Sequence, residues 1–489
     1  MTTTSTDRPL GITGFGAWLP RRRMERKVIA TAHKWFNPAL MAGAGGTRSH
    51  CSWDEDSVTM AVAAARAALA SGDPGKVAAL SLASTTLPFL DRQNATIVAE
   101  ASGLRPRIRT QDVGGSLRAG TGALIAAFQD GALEGGDASL VVAADARRAR
   151  PGSPDELAFG HGAAAILLGR ERPIATLLGW TSESDDFVDH YRSEGRDFDY
   201  RWEERWARDE GPAGRLPAAV AALLDRLSLT PDGIDRIALP AASAREAQRI
   251  AKSCGLDPAR VADPLDQACG HLGAAHAPLL LAHCLEQARP GETILLAGLG
   301  QGFDLLVLQA TEALADYRSA GAVGAALGAG RSDENYLRFL AFEGTLELET
   351  GIRAEADLKT AHSVAYRSHG ALTGLQAGRC TACGTVQFPP ERVCVNRNCG
   401  AVDSQEPYPL AGRTARVVSL TADRLAYYPD PPVRYGLVEF EEGGRLLVEF
   451  VEWEGAELKV GARAGVAFRI KDRDEQRGFR RYFWKAVPA

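Results

Sequence analysis

From Gly11 to about Gly169, short apolar runs such as GITGFGAW, ALSLAS, ASLVVAAD and AAAILLG alternate with Ala-rich stretches of helical length, SVTMAVAAARAALA and TGALIAAFQDGAL among them. Strands that alternate with helices need crossover connections, so the pattern predicts βαβ units and a largely parallel sheet. A polar, aromatic-rich insertion at residues 183–211 interrupts the alternation, which then resumes. Helices are predicted at PAAVAALLDRL, AREAQRIAKSCG and APLLLAHCLEQA, and strands at RIALPAA, ETILLAGLG and FDLLVLQ. Two α/β halves in tandem predict a duplicated architecture, although no repeat of fixed period links their sequences. The Gly/Ala-rich stretch AGAVGAALGAGRSDEN, residues 320–335, reads as part of a linker. Beyond it lie a helical stretch, a cysteine cluster, and short alternating runs (RTARVVSL, YGLVEFEE, RLLVEFVEW, RAGVAFRI, RYFWKAV) that predict a small β-barrel. The expected boundaries are an α/β domain at 8–313, a linker at 314–335, a helical segment with the cysteine cluster at 336–404, and the barrel at 405–489.

Composition narrows the class. A chain of 489 residues exceeds what one core supports. Its 45% hydrophobic and 24% charged residues are those of a soluble α/β enzyme. A net charge of −5 offers no global field for nucleic acid. With no apolar run of about 18 residues and no signal-like start, no membrane segment is expected and a cytoplasmic protein is.

Of eight cysteines, Cys51, Cys254, Cys269 and Cys284 are scattered, while Cys380, Cys383, Cys394 and Cys399 form a C-x2-C and a C-x4-C pair. Two such turns bring four thiolates to one tetrahedral ion, the arrangement of a zinc ribbon. Four sulfurs leave no open position for water, so the expected zinc is structural. A ribbon followed by an OB-like barrel would by itself suggest nucleic-acid binding. The acidic runs EFEEGG and EFVEWEGAE oppose that, and the basic stretch RGFRRYFWK (477–485) reads as a solvated strand face, with anion binding as the alternative. No nucleic-acid partner is expected.

Three segments carry a family resemblance: DEDSVTMAVAAARAAL (54–69), QDVGGSLRAGTGALIAA (111–127) running on to the strand ending at residue 169, and LPAASAREAQRIAKSCGL (239–256) followed by GHLGAAHAPLLLAHCLEQARPGETILLAGLG. They resemble 3-hydroxy-3-methylglutaryl-CoA synthase of the thiolase and ketoacyl synthase superfamily, over about residues 8–313. The tail, opening with GLQAGRCTACGTVQFPP, resembles the zinc-ribbon and OB-fold domain that accompanies thiolases and synthases acting on acyl-CoA. The resemblance implies an α/β, duplicated, layered thiolase-like fold, a CoA thioester as substrate, and a homodimer. It also accounts for the barrel without nucleic acid.

The family's chemistry needs a cysteine nucleophile at a helix start, a histidine that polarises the thioester, and a glutamate that moves a proton. The glutamate carries over as Glu55. The cysteine does not, because SLRAGT places Leu117 there with Ser116 one step earlier. The histidine's place holds Pro240 or Ala241. GHLGAAHA resembles the glycine-histidine motif of thiolases, which makes His271 the expected hydrogen-bond donor to a thioester oxygen and His276 a second candidate. Packed, satisfied histidines are the plain alternative. Glu55 also reads as part of an acidic helix start capped by Asp54 or Ser52. RRRMERK (21–27) reads as solvated loop charge, with CoA phosphate contact second, and His161 as a tight packing site. Tyr191, Tyr200 and Trp202 read as core or as the lining of a substrate cavity.

Three functions compete. The first is an enzyme that makes or breaks a carbon-carbon bond next to an acyl-CoA thioester by aldol or retro-aldol chemistry, without an acyl-cysteine. The second is a condensing synthase of the hydroxymethylglutaryl type, its nucleophile recruited from Cys51 or Ser116. The third is a silent thiolase-like subunit that recruits a partner thiolase.

Overall fold

A computed structural model describes residues 9–134, 138–211 and 214–489, without the side chains of residues 132–134, 204 and 208. The expected first residue of the large domain, 8, lies outside the described residues. The chain divides into two compact units: one of residues up to Ser52, Asp56–Val98 and Leu104–Leu346, the other of Trp53–Glu55, Ala99–Gly103 and Glu347–Ala489.

The first unit is built on a nine-stranded sheet. Its strands are β1 (Gly11–Trp18), β2 (Val77–Ala83), β3 (Arg109–Val113), β4 (Ala138–Ala146), β5 (His161–Gly169), β6 (Ala175–Ser184), β7 (Arg236–Ala238), β8 (Thr293–Gly300) and β9 (Gly302–Ala310). They lie in the order β7-β8-β9-β6-β1-β5-β4-β2-β3. The largely parallel sheet expected from the alternation is instead mixed: β2 runs parallel to β3 and β4, and β7 to β8, but the other pairings are antiparallel. The reason is local. β8 and β9 are joined through Gln301 alone, and so short a connection can only turn the chain back on itself.

The duplication is visible in the topology. β1-β5-β4-β2 and β6-β9-β8-β7 have the same order, the same chain sequence and the same directions, and they meet where Gly11 and Ile12 pair with Thr176 and Ala175. A single parallel bridge between Ile237 and Val261 lies where β3 lies in the first half. Helices match too. α1 (Ser57–Leu69), α2 (Asn94–Ala101) and α3 (Ala119–Glu134) of the first half correspond to α4 (Leu216–Arg226), α5 (Ala244–Ser253) and α6 (His276–Gln287) of the second.

Burial follows composition. α5 has one apolar stripe, with Ala247, Ile250 and Ala251 turned inward. α6 is apolar all round from Ala277 to Ala282 and buries Leu279, Leu280, Leu281 and Leu285, so this part of it occupies the interior, while Glu286 and Gln287 at its end are exposed. Phe15, Leu124, Ile166, Leu279 and Leu306 share one core that spans both halves. The stretch at 320–335 expected as linker folds instead as a short helix, Val323–Gly328, with Val323 fully buried, and a strand, Arg331–Asp333, paired with Arg22–Met24. Small residues allow close packing as readily as they allow flexibility.

In the second unit, β10 (Gln376–Cys380), β11 (Val386–Gln387) and β12 (Gln405–Pro409) form a three-stranded sheet with β10 in the middle. Next come β13 (Ala415–Val417), β14 (Thr421–Asp423), β15 (Val433–Phe440), β16 (Arg445–Glu449), β17 (Arg463–Asp474) and β18 (Phe479–Pro488). These six make one sheet around Phe440, Phe468 and Trp484. The expected barrel is not closed: toward closure the sheet has only the isolated bridge of Phe450 with Ala486.

Candidate active site

A cavity of about 550 Å³ opens in the first unit, within the size range of small-molecule sites. Its walls bring together Leu117, Pro240, Ala241 and His271, the positions that the family resemblance singled out from three separate stretches. The duplication explains why. Leu117 stands in the turn before α3, and His271 in the turn before α6, so corresponding points of the two halves face one cavity. Gly120 permits the approach, since a Cβ there would lie 2.4 Å from the Ala274 carbonyl oxygen.

The imidazoles of His271 and His276 are stacked, with ring centres 4.5 Å apart and an interplanar angle of 3°. Each Nδ1 accepts a backbone N–H, from Gly273 at 3.2 Å and from Leu272 at 3.1 Å respectively. An Nδ1 that accepts leaves the hydrogen on Nε2 of a neutral ring. Burial first, then His276, Arg147, Arg201 and His190, hold the His271 pKa well below the ordinary value. Burial brings His276 down to about 4 against the pull of the Pro264 carbonyl. At neutral pH both rings are therefore uncharged. His271 half-emerges into the cavity as an N–H donor, whereas fully buried His276 backs it.

Two buried carboxylates hold the flanking backbone. Asp145, at the end of β4, accepts from Ala274 N–H at 2.7 Å, Thr85 N–H at 2.7 Å, and the hydroxyls of Ser84, Thr85 and Thr86. It thus ties the first half's sheet to the His271 turn. Gly273 adopts φ +57°, and a Cβ there would stand 2.1 Å from Asp145 Oδ2, so both backbone and space demand glycine. On the other side, Asp304 of β9 accepts from Arg118 Nη1 at 2.8 Å, Thr121 Oγ1 at 2.7 Å and Ser182 Oγ at 2.6 Å, fixing the start of α3 beside Leu117.

Glu55 lies elsewhere. Within the second unit its carboxylate is buried 3.4 Å from Arg469, which also pairs with Glu452, and it does not line the cavity. Asp54 meets Lys485 at 3.0 Å. Neither Asp54 nor Ser52 caps α1. Asp56 does, accepting Thr59 N–H at 3.0 Å while its own N–H donates to Thr59 Oγ1 at 2.8 Å. Cys51 is buried against Met60, and Ser116 Oγ accepts Arg118 N–H at 3.4 Å; neither lines the cavity. The RRRMERK charges are not a solvated loop: Arg23 and Arg26 are buried, with Arg26 bonded to the Asp266 carbonyl. Lys485 of the basic stretch is likewise buried. His161 is a packed residue whose Nδ1 accepts Cys51 N–H at 3.0 Å.

The insertion forms a small ribbon in which His190 pairs with Arg201 and Tyr191 with Tyr200. Side chains alternate across such a ribbon. His190 and Arg201 accordingly line the cavity, while Tyr191, Tyr200 and Trp202 line a separate hollow of about 260 Å³. His190, Arg201 and buried Arg147 were missed from sequence. The period of two within DHYRS and DFDYRW was the available signal, hidden by the more conspicuous aromatics.

The four Sγ atoms of Cys380, Cys383, Cys394 and Cys399 lie within 4.8 Å of one another, with Cys380 and Cys399 3.9 Å and Cys383 and Cys394 3.6 Å apart. A tetrahedral zinc with sulfurs at about 2.3 Å sets them about 3.8 Å apart, so the donor set fits the ion.

Comparison with known proteins agrees with this geometry. Over 320 residues the chain is 29% identical to hydroxymethylglutaryl-CoA synthase of Methanopyrus kandleri, covering 63% of this chain and 90% of that protein. Over that length the chain is similar to hydroxymethylglutaryl-CoA synthases. The enzyme of Methanobrevibacter smithii is 28% identical, with 63% and 91% covered. Residues 224–308 match the 3-oxoacyl-[acyl-carrier-protein] synthase III C-terminal family, 375–403 the rubredoxin-like zinc ribbon of ChsH2, and 408–469 the C-terminal OB-fold domain of ChsH2. Among solved structures, 3-oxoacyl-(acyl carrier protein) synthase III of Pseudomonas aeruginosa shares the fold at TM-score 0.55 and 24% identity, covering 62% of this chain and 99% of that one. MvaS in complex with 3-hydroxy-3-methylglutaryl coenzyme A does so at 0.59 and 19%, covering 70% and 93%. The fold is thiolase-like, followed by a zinc ribbon and an OB-fold. No helix among the described residues is long and apolar enough to cross a membrane.

Proposed function

We propose that this chain is an acyl-CoA-dependent enzyme that makes or breaks a carbon-carbon bond by aldol or retro-aldol chemistry, without an acyl-enzyme intermediate. One observation carries the reading: a single cavity is lined both by Leu117, where the resemblance calls for a cysteine, and by His271, held as a neutral N–H donor. A leucine forms no thioester, so the acyl group stays on CoA throughout. His271 is suited to hold the thioester oxygen as it gains enolate charge, a contribution worth a few kcal/mol in a preorganised site. The zinc that the four cysteines would hold stabilises the ribbon and supplies no step. Relatives solved with CoA or a CoA thioester support an acyl-CoA ligand.

The test is to offer the pure protein an acyl-CoA and a 3-hydroxyacyl-CoA. Cleavage of the second to an acyl-CoA and a carbonyl compound, with unchanged intact protein mass, is the expected result. A stoichiometric acyl adduct overturns the reading. It would favour the second one, a condensing synthase of the hydroxymethylglutaryl type, which the homology to such synthases over nine-tenths of their length supports.

A further inference from the structure

We propose that His190, oriented by Asp189 and delivered by the insertion ribbon, is the residue that moves the proton in this cavity; the inference rests on the aldol reading above. Two observations support it. Asp189 Oδ1 lies 2.8 Å from His190 Nδ1. A carboxylate only accepts, so Nδ1 carries the hydrogen and Nε2 presents a lone pair. The ring lines the same cavity as His271.

The other acidic groups of the cavity wall are engaged. Asp189 serves His190, Glu246 accepts Ala242 N–H at 3.1 Å, and Asp266 Oδ2 accepts from Gln267 at 2.8 Å. His271 spends its Nδ1 on Gly273 N–H, which makes it a donor only. The cavity thus divides the work between two imidazoles of opposite polarity. In the cleavage direction, His190 Nε2 takes the proton of the substrate's 3-hydroxyl. The O–H pair becomes the new C=O bond as the C2–C3 bond breaks, and that bond's electrons form an enolate whose oxygen accepts from His271 Nε2–H. The imidazolium of His190 then returns the proton to C2. A 3-hydroxyacyl-CoA becomes a carbonyl compound and an acyl-CoA, with no oxidant, reductant or third reactant.

The last step, run backward, exchanges the C2 hydrogens of an acyl-CoA with solvent. Acetyl-CoA in deuterium oxide is therefore the probe, with the full chain as enzyme. His190→Gln is expected to lower exchange by 10²- to 10⁴-fold, with acetyl-CoA affinity changed less than about threefold. His190→Ala should do the same and regain exchange when imidazole is added. Exchange within about threefold of the parent in His190→Gln, or no rescue of His190→Ala by imidazole, overturns the proposal while the aldol reading stands. Absence of exchange in the parent chain, together with absence of 3-hydroxyacyl-CoA cleavage, overturns both.

Discussion

The two halves of the first unit bring corresponding places to one cavity, and the two places differ in chemistry. Before α3 stands Leu117, half-buried and without a polar atom, in a backbone fixed by Asp304. Before α6 stands His271, backed by His276 and fixed by Asp145. Each place has its buried carboxylate, so the scaffolding is kept in both halves. Only one of the two places presents an apolar side chain to the cavity. In the reaction proposed above, the functional weight then falls on the half that holds His271.

Of changes at these two places, replacing His271 by Ala should therefore have the larger effect. Loss of a preorganised donor to a developing oxyanion lowers kcat by about 10²- to 10³-fold. Steady-state cleavage of a 3-hydroxyacyl-CoA measures it, and KM should move far less. Equal losses in kcat from His271→Ala and Leu117→Ala would break the comparison.

Asp145→Ala tests the scaffold behind that donor. It strands the N–H groups of Ala274 and Thr85 and three hydroxyls beside them. Unpaired buried polar groups cost about 1–3 kcal/mol each where water cannot reach them. A loss of about 3 kcal/mol in chemical denaturation is expected, with protection from hydrogen exchange falling at the start of α6 before it falls at the start of α3.

Much of this was legible in the sequence and some was not, for physical reasons. Alternation located the strands and helices of both halves, because amphipathic period is a local property. It did not give strand direction, which depended on a one-residue link between β8 and β9. Four cysteines at paired spacing announced their own convergence. His271 was legible through its glycine-rich surroundings, whose need for positive φ at Gly273 leaves a mark in the chain. Glu55 was not: its acidic neighbours suggested a helix start, while its partner Arg469 lies more than four hundred residues away in sequence. His190 escaped because the aromatics on the other face of its two-residue ribbon drew attention away from the alternation that places it.

Acid should separate the two helix starts. The His276 pKa in the folded chain is about 4, below the ordinary value of about 6.5. As pH falls below 6.5 the unfolded chain binds the proton first, so stability is lost between pH 6.5 and 4 and levels off below that. At about 1.4 kcal/mol per unit the loss from this one group approaches about 3 kcal/mol. His161, also brought to about 4 by burial, adds to it. Among the described residues the start of α3, Ala119–Thr121, holds no titrating side chain. Denaturation at pH 7 and pH 4.5 should show a smaller drop for His276→Asn than for the parent; an equal drop would mean that the stacked pair is not where acid acts.

Leu117→Ala should be the mildest change. Its side chain is half-buried at a cavity wall, so truncation exposes space already open and costs about 1 kcal/mol, less than in a closed core. Cleavage should persist within about tenfold, because no atom of the leucine takes part. Leu117→Cys sharpens the point. If Asp304 still holds the start of α3 in the geometry of a nucleophile, the new thiol should take an acyl group from acyl-CoA, visible as added mass on the peptide that spans it. Acylation would show that the first half lost its side chain and kept its architecture. An unmodified thiol, with a thiol reagent still able to reach it, would show that the backbone before α3 has drifted as well, and that the two halves differ by more than one residue.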